Sequence, residues 1–155
     1  MRLDIKGQPE KRIPRKLIEA AARWYARKIF DKKLNRKISI TIYFKKMDID
    51  MLGECVYKDP KKCRYKYDII INKQMGERRI LTTLAHEMVH AAQYASGRYV
   101  AYKRESMIHL VKFHGQHYDL NEVDYWDHPW EIEAAGRELG LYIRFINHMV
   151  ERGKL

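Results

Sequence analysis

Cysteine is scarce in this 155-residue chain: Cys55 and Cys63 are the only two. They do not form a Cys-x-x-Cys pair, and two thiols alone do not make a structural zinc site. Both are read as ordinary reduced cysteines. They flank the turn signal Asp59-Pro60, so a cross-hairpin disulfide is open to them only in an exported protein. Long apolar runs are missing too. None approaches the ~20 residues that span a bilayer, which excludes a membrane partner of that kind. The first residues, Met1 to Gly7, hold no apolar stretch of the sort a secretory signal needs, so a cytoplasmic location is expected. No repeat, low-complexity tract or linker divides the sequence. A single domain over residues 1–155 is expected, with 1–12 as a flexible or loosely docked arm.

Acidic residues are in deficit. The net charge is +11, and it is unevenly placed, because residues 1–37 hold thirteen Lys and Arg against four Asp and Glu. A basic end of this kind suits nucleic acid, an acidic protein or simply solvent. No aromatic-interleaved or glycine-rich nucleic-acid signature accompanies the charge, so nucleic acid bound through residues 1–37 remains one open expectation beside a protein or peptide substrate. Nothing in the sequence sets an oligomeric state.

The apolar pattern predicts an α+β protein. Behind Pro14, which suits a first helical turn, Leu17, Ile18, Ala21, Ala22, Tyr25, Ile29 and Phe30 recur at helical spacing and predict a helix over 14–33. Ile38 to Phe44 alternates and is β-branched, which predicts a strand. Cys55 to Lys58 and Tyr65 to Asn72 predict two more, and short connections suggest a small, mostly antiparallel sheet. Glu77 to Ser96 predicts a strong amphipathic helix that Gly97 stops. Residues 98–128 show no clean period and read as extended pieces, rich in Tyr and His, that wall a cleft. A last helix begins at Pro129, with Asp127 or His128 near its cap. Gly136 and Gly140 either weaken it or let it approach the preceding helix closely.

The helix from Glu77 to Ser96 contains His86-Glu87-Met88-Val89-His90. Residues four apart lie on one helix face, so His86 and His90 are placed to hold one zinc ion (Zn2+), and Glu87 beside them is placed as the general base for a zinc-activated water. Given seven His and eleven Glu, chance supplies roughly 0.02 copies of this pattern. A catalytic zinc takes three protein ligands and leaves one position for water. Three residues compete for the third place: Glu133, Glu131 and His114. Glu133 is favoured, since it lies beside Ala134 and Ala135 on an apolar helix face where an unpaired carboxylate is costly. Glu131 already offsets the dipole at the helix start.

The motif followed by Pro129-Trp130-Glu131-Ile132-Glu133-Ala134 resembles the zincin metallopeptidases, especially small gluzincin-like domains of phage and bacterial origin. That resemblance implies a minimal zincin-like fold whose last helix carries the third ligand, with His86, His90 and Glu133 as ligands and Glu87 as base. It implies a zinc-dependent metalloendopeptidase hydrolysing peptide bonds, in the host cytoplasm if phage-encoded. A second resemblance is to SprT-like proteases, through His114-Gly115-Gln116-His117-Tyr118. It implies His114 as third ligand and action on DNA-bound proteins. The zinc ribbon that often accompanies that family has no counterpart here. Tyr118, Tyr125, His117 and His128 are candidates to stabilise the oxyanion, and Gln93 is a candidate to orient a ligand.

Overall fold

The computed structural model describes residues 1–48, 50–57, 65–102 and 109–154. Cys63 and the Asp59-Pro60 turn lie outside the described residues, while Cys55 is a free thiol. The architecture is α+β, and the described residues form four helices and two small sheets. The larger sheet has the order β1-β2-β4-β3, formed by β1 (Arg2–Lys6), β2 (Ser39–Lys45), β4 (Lys66–Asn72) and β3 (Gly53–Tyr57). Residues 2–6, expected in a loose arm, are instead a strand parallel to β2, with Arg2 opposite Ser39 and Ile5 opposite Ile42. Leu3 and Ile5 supply its inward positions, and one buried isoleucine is enough to anchor a short strand once a neighbour satisfies its backbone.

Between β1 and β2 run α1 (Arg15–Ile29) and α2 (Lys32–Lys37). A helical crossover returns the chain in the same direction, which is why β1 and β2 are parallel. The single helix expected over 14–33 is therefore broken. Phe30 adopts an extended conformation, and Asp31 restarts the chain by accepting a hydrogen bond from the Leu34 N–H at 2.7 Å. Strand β2 is also parallel to β4, and β3 runs antiparallel to β4 at the sheet edge. Over both sheets the antiparallel pairings prevail, but within the larger sheet the parallel ones do.

Helix α3 (Glu77–Ser96) lies against β3, β4 and α1 and carries the centre of the core, with Ile80, Leu81, Leu84, Met88 and Val89 fully buried. It ends where Gly97 turns left-handed at φ 76, as a glycine does without a Cβ penalty. Beyond it, the segment with no clean period forms a second, antiparallel sheet of β5 (Tyr99–Ala101), β6 (Leu110–Phe113) and β7 (Gln116–Asp119). A short 3-10 turn, Tyr125–Asp127, precedes α4 (Pro129–Glu151). Trp130, in the first turn of α4, is buried with Val111 and Phe113 of the second sheet. That contact holds the start of α4 beside α3. Gly136 and Gly140 do not mediate the approach of the two helices, because a Cβ at either would meet nothing within 4 Å.

Candidate metal centre

Helix α3 buries Met88 and Val89 on its core side and so turns His86 and His90 toward α4. The two Nε2 atoms lie 3.0 Å apart. Glu131 enters from the first turn of α4, and its Oε2 is 3.4 Å from each of them. Among the described residues these three side chains form a group able to hold a metal ion, each offering one atom within 4.8 Å of the others.

The donor set fits a cation. His86 Nδ1 lies 2.8 Å from Glu138 Oε2, and His90 Nδ1 lies 2.8 Å from Gln93 Oε1. Both partners are acceptors, so both Nδ1 atoms carry hydrogen. In the neutral imidazoles the two Nε2 lone pairs then face each other beside a carboxylate oxygen. That arrangement repels itself unless positive charge sits between them. The electrostatics of the groups also favour positive charge there. Burial would hold the imidazoles neutral, but hydrogen bonds to Glu131 and, for His86, to Glu138 outweigh it, raising His86 to about 10 and raising His90 as well. Burial also works to raise Glu131, yet the imidazoles and the Tyr125 hydroxyl hold its carboxyl well below the usual range. His86, His90 and Glu131 are thus the residues that could hold a metal, oriented by partners on their far sides as such ligands usually are.

Glu133 is not brought to this cluster. Two residues along a helix turn a side chain through about 200°, so Glu133 leaves α4 on another side. Its carboxylate receives Arg98 at 2.8 and 3.0 Å, Arg137 at 3.3 Å and Gln93 at 3.0 Å. The structure thus brings Glu131, and not the expected Glu133, to the two histidines. A half-buried Glu on this face does need a partner, and Arg98 supplies it. Dipole compensation at the helix start does not occupy Glu131 either, since its carboxylate reaches the histidines. His114 is elsewhere again. It sits at φ 49 in the turn between β6 and β7, exposed, with Nε2 3.5 Å from Arg98.

Glu87 points the other way along α3, toward the edge strand. It is only 5% exposed, and burial pushes its carboxyl up to about 7, with the two imidazoles opposing. A general base works best when poised near the operating pH. Gly53 of β3 makes room for it. A Cβ there would lie 2.7 Å from Thr83 Cγ2 and 3.1 Å from Glu87 Oε1. No pattern in the sequence marked Gly53, whose role exists only once β3 and α3 are side by side.

A cleft of ≈ 860 Å³ opens over these groups, between residues 50–53 leading into β3 on one side and α4 on the other. Asn72 steadies the nearer wall by donating to the Met51 carbonyl at 3.1 Å. Tyr125 and Trp126 stand at the cleft, 53% and 78% exposed, and the Tyr125 hydroxyl donates to Glu131 Oε2 at 2.9 Å. The other residues considered for an oxyanion are engaged away from it. Tyr118 donates to Gln116, His117 meets the Tyr102 hydroxyl, and His128 is buried against Trp130.

Searches among curated proteins and among solved structures return no match. A model of the SprT-like family matches residues 18–125, which takes in most of α1, the motif helix and the second sheet but stops short of Glu131. The match falls on the second of the two resemblances. Since it spans well over half of the sequence, with His86, Glu87 and His90 inside it, the chain belongs to the SprT-like family.

Proposed function

We propose that the chain is a zinc-dependent peptidase in which His86, His90 and Glu131 hold the ion and Glu87 is the general base. The observation that carries this reading is the convergence of two inward-facing Nε2 atoms and a carboxylate oxygen at a cleft where a second, buried carboxyl is raised to about 7. A zinc ion so held supplies a Lewis acid for the attacking water and the scissile carbonyl. Glu87 takes the proton of that water and hands it to the leaving amine. Strand β3 is an edge of the larger sheet, with no strand partner on its outer side among the described residues. A peptide laid along it as an added strand is brought past Glu87. The Tyr125 hydroxyl, already at Glu131, is placed to donate to the developing oxyanion. Excluding water from the cleft falls to Met51, Trp126 and Ile132.

The test compares wild type with Glu87→Gln on an unfolded protein substrate, with zinc content measured on both. Glu87→Gln is expected to retain zinc and to lose cleavage by about 10²–10⁴-fold, the usual worth of a general base. Equal cleavage by the two proteins removes the mechanism.

A second reading, action on DNA-bound proteins, is favoured by one observation. Arg15, Lys16, Arg23, Arg27, Lys28, Lys32, Lys33, Arg36 and Lys37 are all exposed on α1 and α2. Binding of duplex DNA that weakens steeply with salt and is lost when Arg15, Lys16, Arg23 and Arg27 are neutralised supports it; a flat response removes it.

A further inference from the structure

Gln93 is wholly buried, one turn beyond His90 on α3. Its amide nitrogen donates to the Trp130 carbonyl at 3.0 Å and to Glu133 Oε2 at 3.0 Å, and its oxygen faces His90 Nδ1 at 2.8 Å. A side-chain amide can in general exchange its nitrogen and oxygen by a half-turn. Here it cannot. The Trp130 carbonyl and the Glu133 carboxylate only accept, so both N–H groups must point to them and the oxygen must point to His90. An oxygen at that place obliges Nδ1 to carry the hydrogen, which leaves Nε2 as the free nitrogen and aims it at His86 and Glu131. Glu133 is itself fixed by Arg98, whose guanidinium meets both carboxylate oxygens. Arg98 stands between the left-handed Gly97 and β5, and its Nη1 also reaches His114 in the β6–β7 turn.

We propose that Arg98, Glu133 and Gln93 form a positioning relay that sets the tautomer and ring orientation of His90, so that docking of α4 and the second sheet onto α3 is a condition for metal binding. The inference rests on the reading of His86, His90 and Glu131 as the metal site. None of the three relay residues is a ligand in that reading; each acts through the next. The relay gives Glu133 a place near the metal without making it a ligand. It also explains why an Arg–Glu pair lies at the junction of the second sheet with α4: the pair ties that sheet to the ring that must be oriented.

The experiment has two readouts on the full chain. The first is the exchange-protected Nδ1–H resonance of His90 in ¹⁵N-labelled protein. The second is zinc affinity, by competition with a chromophoric chelator. Wild type is expected to show the protected proton. Gln93→Leu is expected to lose it and to bind zinc about 10–100-fold more weakly, the usual cost of removing a group that orients a ligand. Glu133→Ala is expected to weaken zinc by less. The double variant is expected to be no worse than Gln93→Leu alone, because Glu133 acts only through Gln93. Losses that multiply in the double variant overturn the relay, as does an unchanged resonance and affinity in Gln93→Leu. Should Gln93→Leu fail to fold, Glu133→Ala carries the test: loss of protection at His90 supports the relay, and full protection with wild-type affinity overturns it. If wild type takes up no zinc, the metal reading fails separately, and the His90 resonance still decides the relay: its presence in wild type and loss in the variants supports it, and its absence from wild type overturns it.

Discussion

The two ends of α4 make a useful contrast. Its first three turns carry Glu131, Glu133 and Glu138, each held by its own set of partners: His86, His90 and Tyr125, then Arg98 and, from the same helix, Arg137, then the other side of the His86 ring. Its later turns bury Leu141 and Phe145, with the Phe145 ring 6.1 Å from Trp24 and 5.7 Å from Tyr25 of α1. At the far end an apolar face needs only to be apolar and of roughly the right size. At the near end each carboxylate has specific partners, and a shift of two residues exchanges the two histidines for an ion pair with Arg98.

That contrast is broken most sharply by treating the two neighbouring glutamates alike. Glu131→Ala is expected to weaken zinc binding by more than the roughly 10–100-fold that loss of an orienting group costs, whereas Glu133→Ala costs less than Gln93→Leu does. Chelator competition measures both, and a larger loss from Glu133→Ala reverses the assignment.

Glycines sharpen the same difference. Gly53→Ala places a Cβ 2.7 Å from Thr83 Cγ2, against a packed helix. It is expected to cost about 1–3 kcal/mol, the usual range for overpacking, and to lower the Tm. Gly140→Ala, at the exposed middle of α4 with nothing within 4 Å of its Cβ, is expected to raise stability by about 1 kcal/mol through helix propensity alone. Thermal melts of the pair test both signs.

The smallest effect belongs to the far end. The Tyr25 hydroxyl is buried and has no hydrogen-bond partner among the described residues, and burial, with Tyr142 adding to it, holds its pKa well above the usual value. A raised acid favours folding only while it stays neutral. The unfolded chain ionises above pH ~10, so this contribution is present below that pH and is lost as pH rises further. Tyr25→Phe is expected to leave stability at pH 7 unchanged or slightly higher, since no bond is broken. It should also remove part of the alkaline loss. Denaturant melts at pH 7 and above pH ~10 show whether it does.

Most of the fold was legible. The bounds of α3 from Glu77 to Ser96 follow from its period and from Gly97, and β2 and β4 follow from alternation. Elements with few residues were not. The strand Arg2–Lys6 has one buried side chain, and β5 to β7 are each at most four residues long, too short for a period to show. The break after Ile29 was hidden because Phe30 continues the apolar pattern although its backbone leaves the helix.

By itself, then, the sequence determined that His86 and His90 share a helix face with Glu87 beside them, because one helical turn is a local, repeating geometry. It also determined that the chain has an α+β core. Only the tertiary structure decided that Glu131 and not Glu133 meets those histidines, that Gly53 clears space for Glu87, and that Gln93 bridges His90 to Trp130 and Glu133. The physical reason is that each depends on how separate elements pack: β3 against α3 for Gly53, and the rotation of α4 about its own axis for Glu131 and Gln93. Trp130 buried against the second sheet, which the periodicity of α4 does not encode, holds its first turn there.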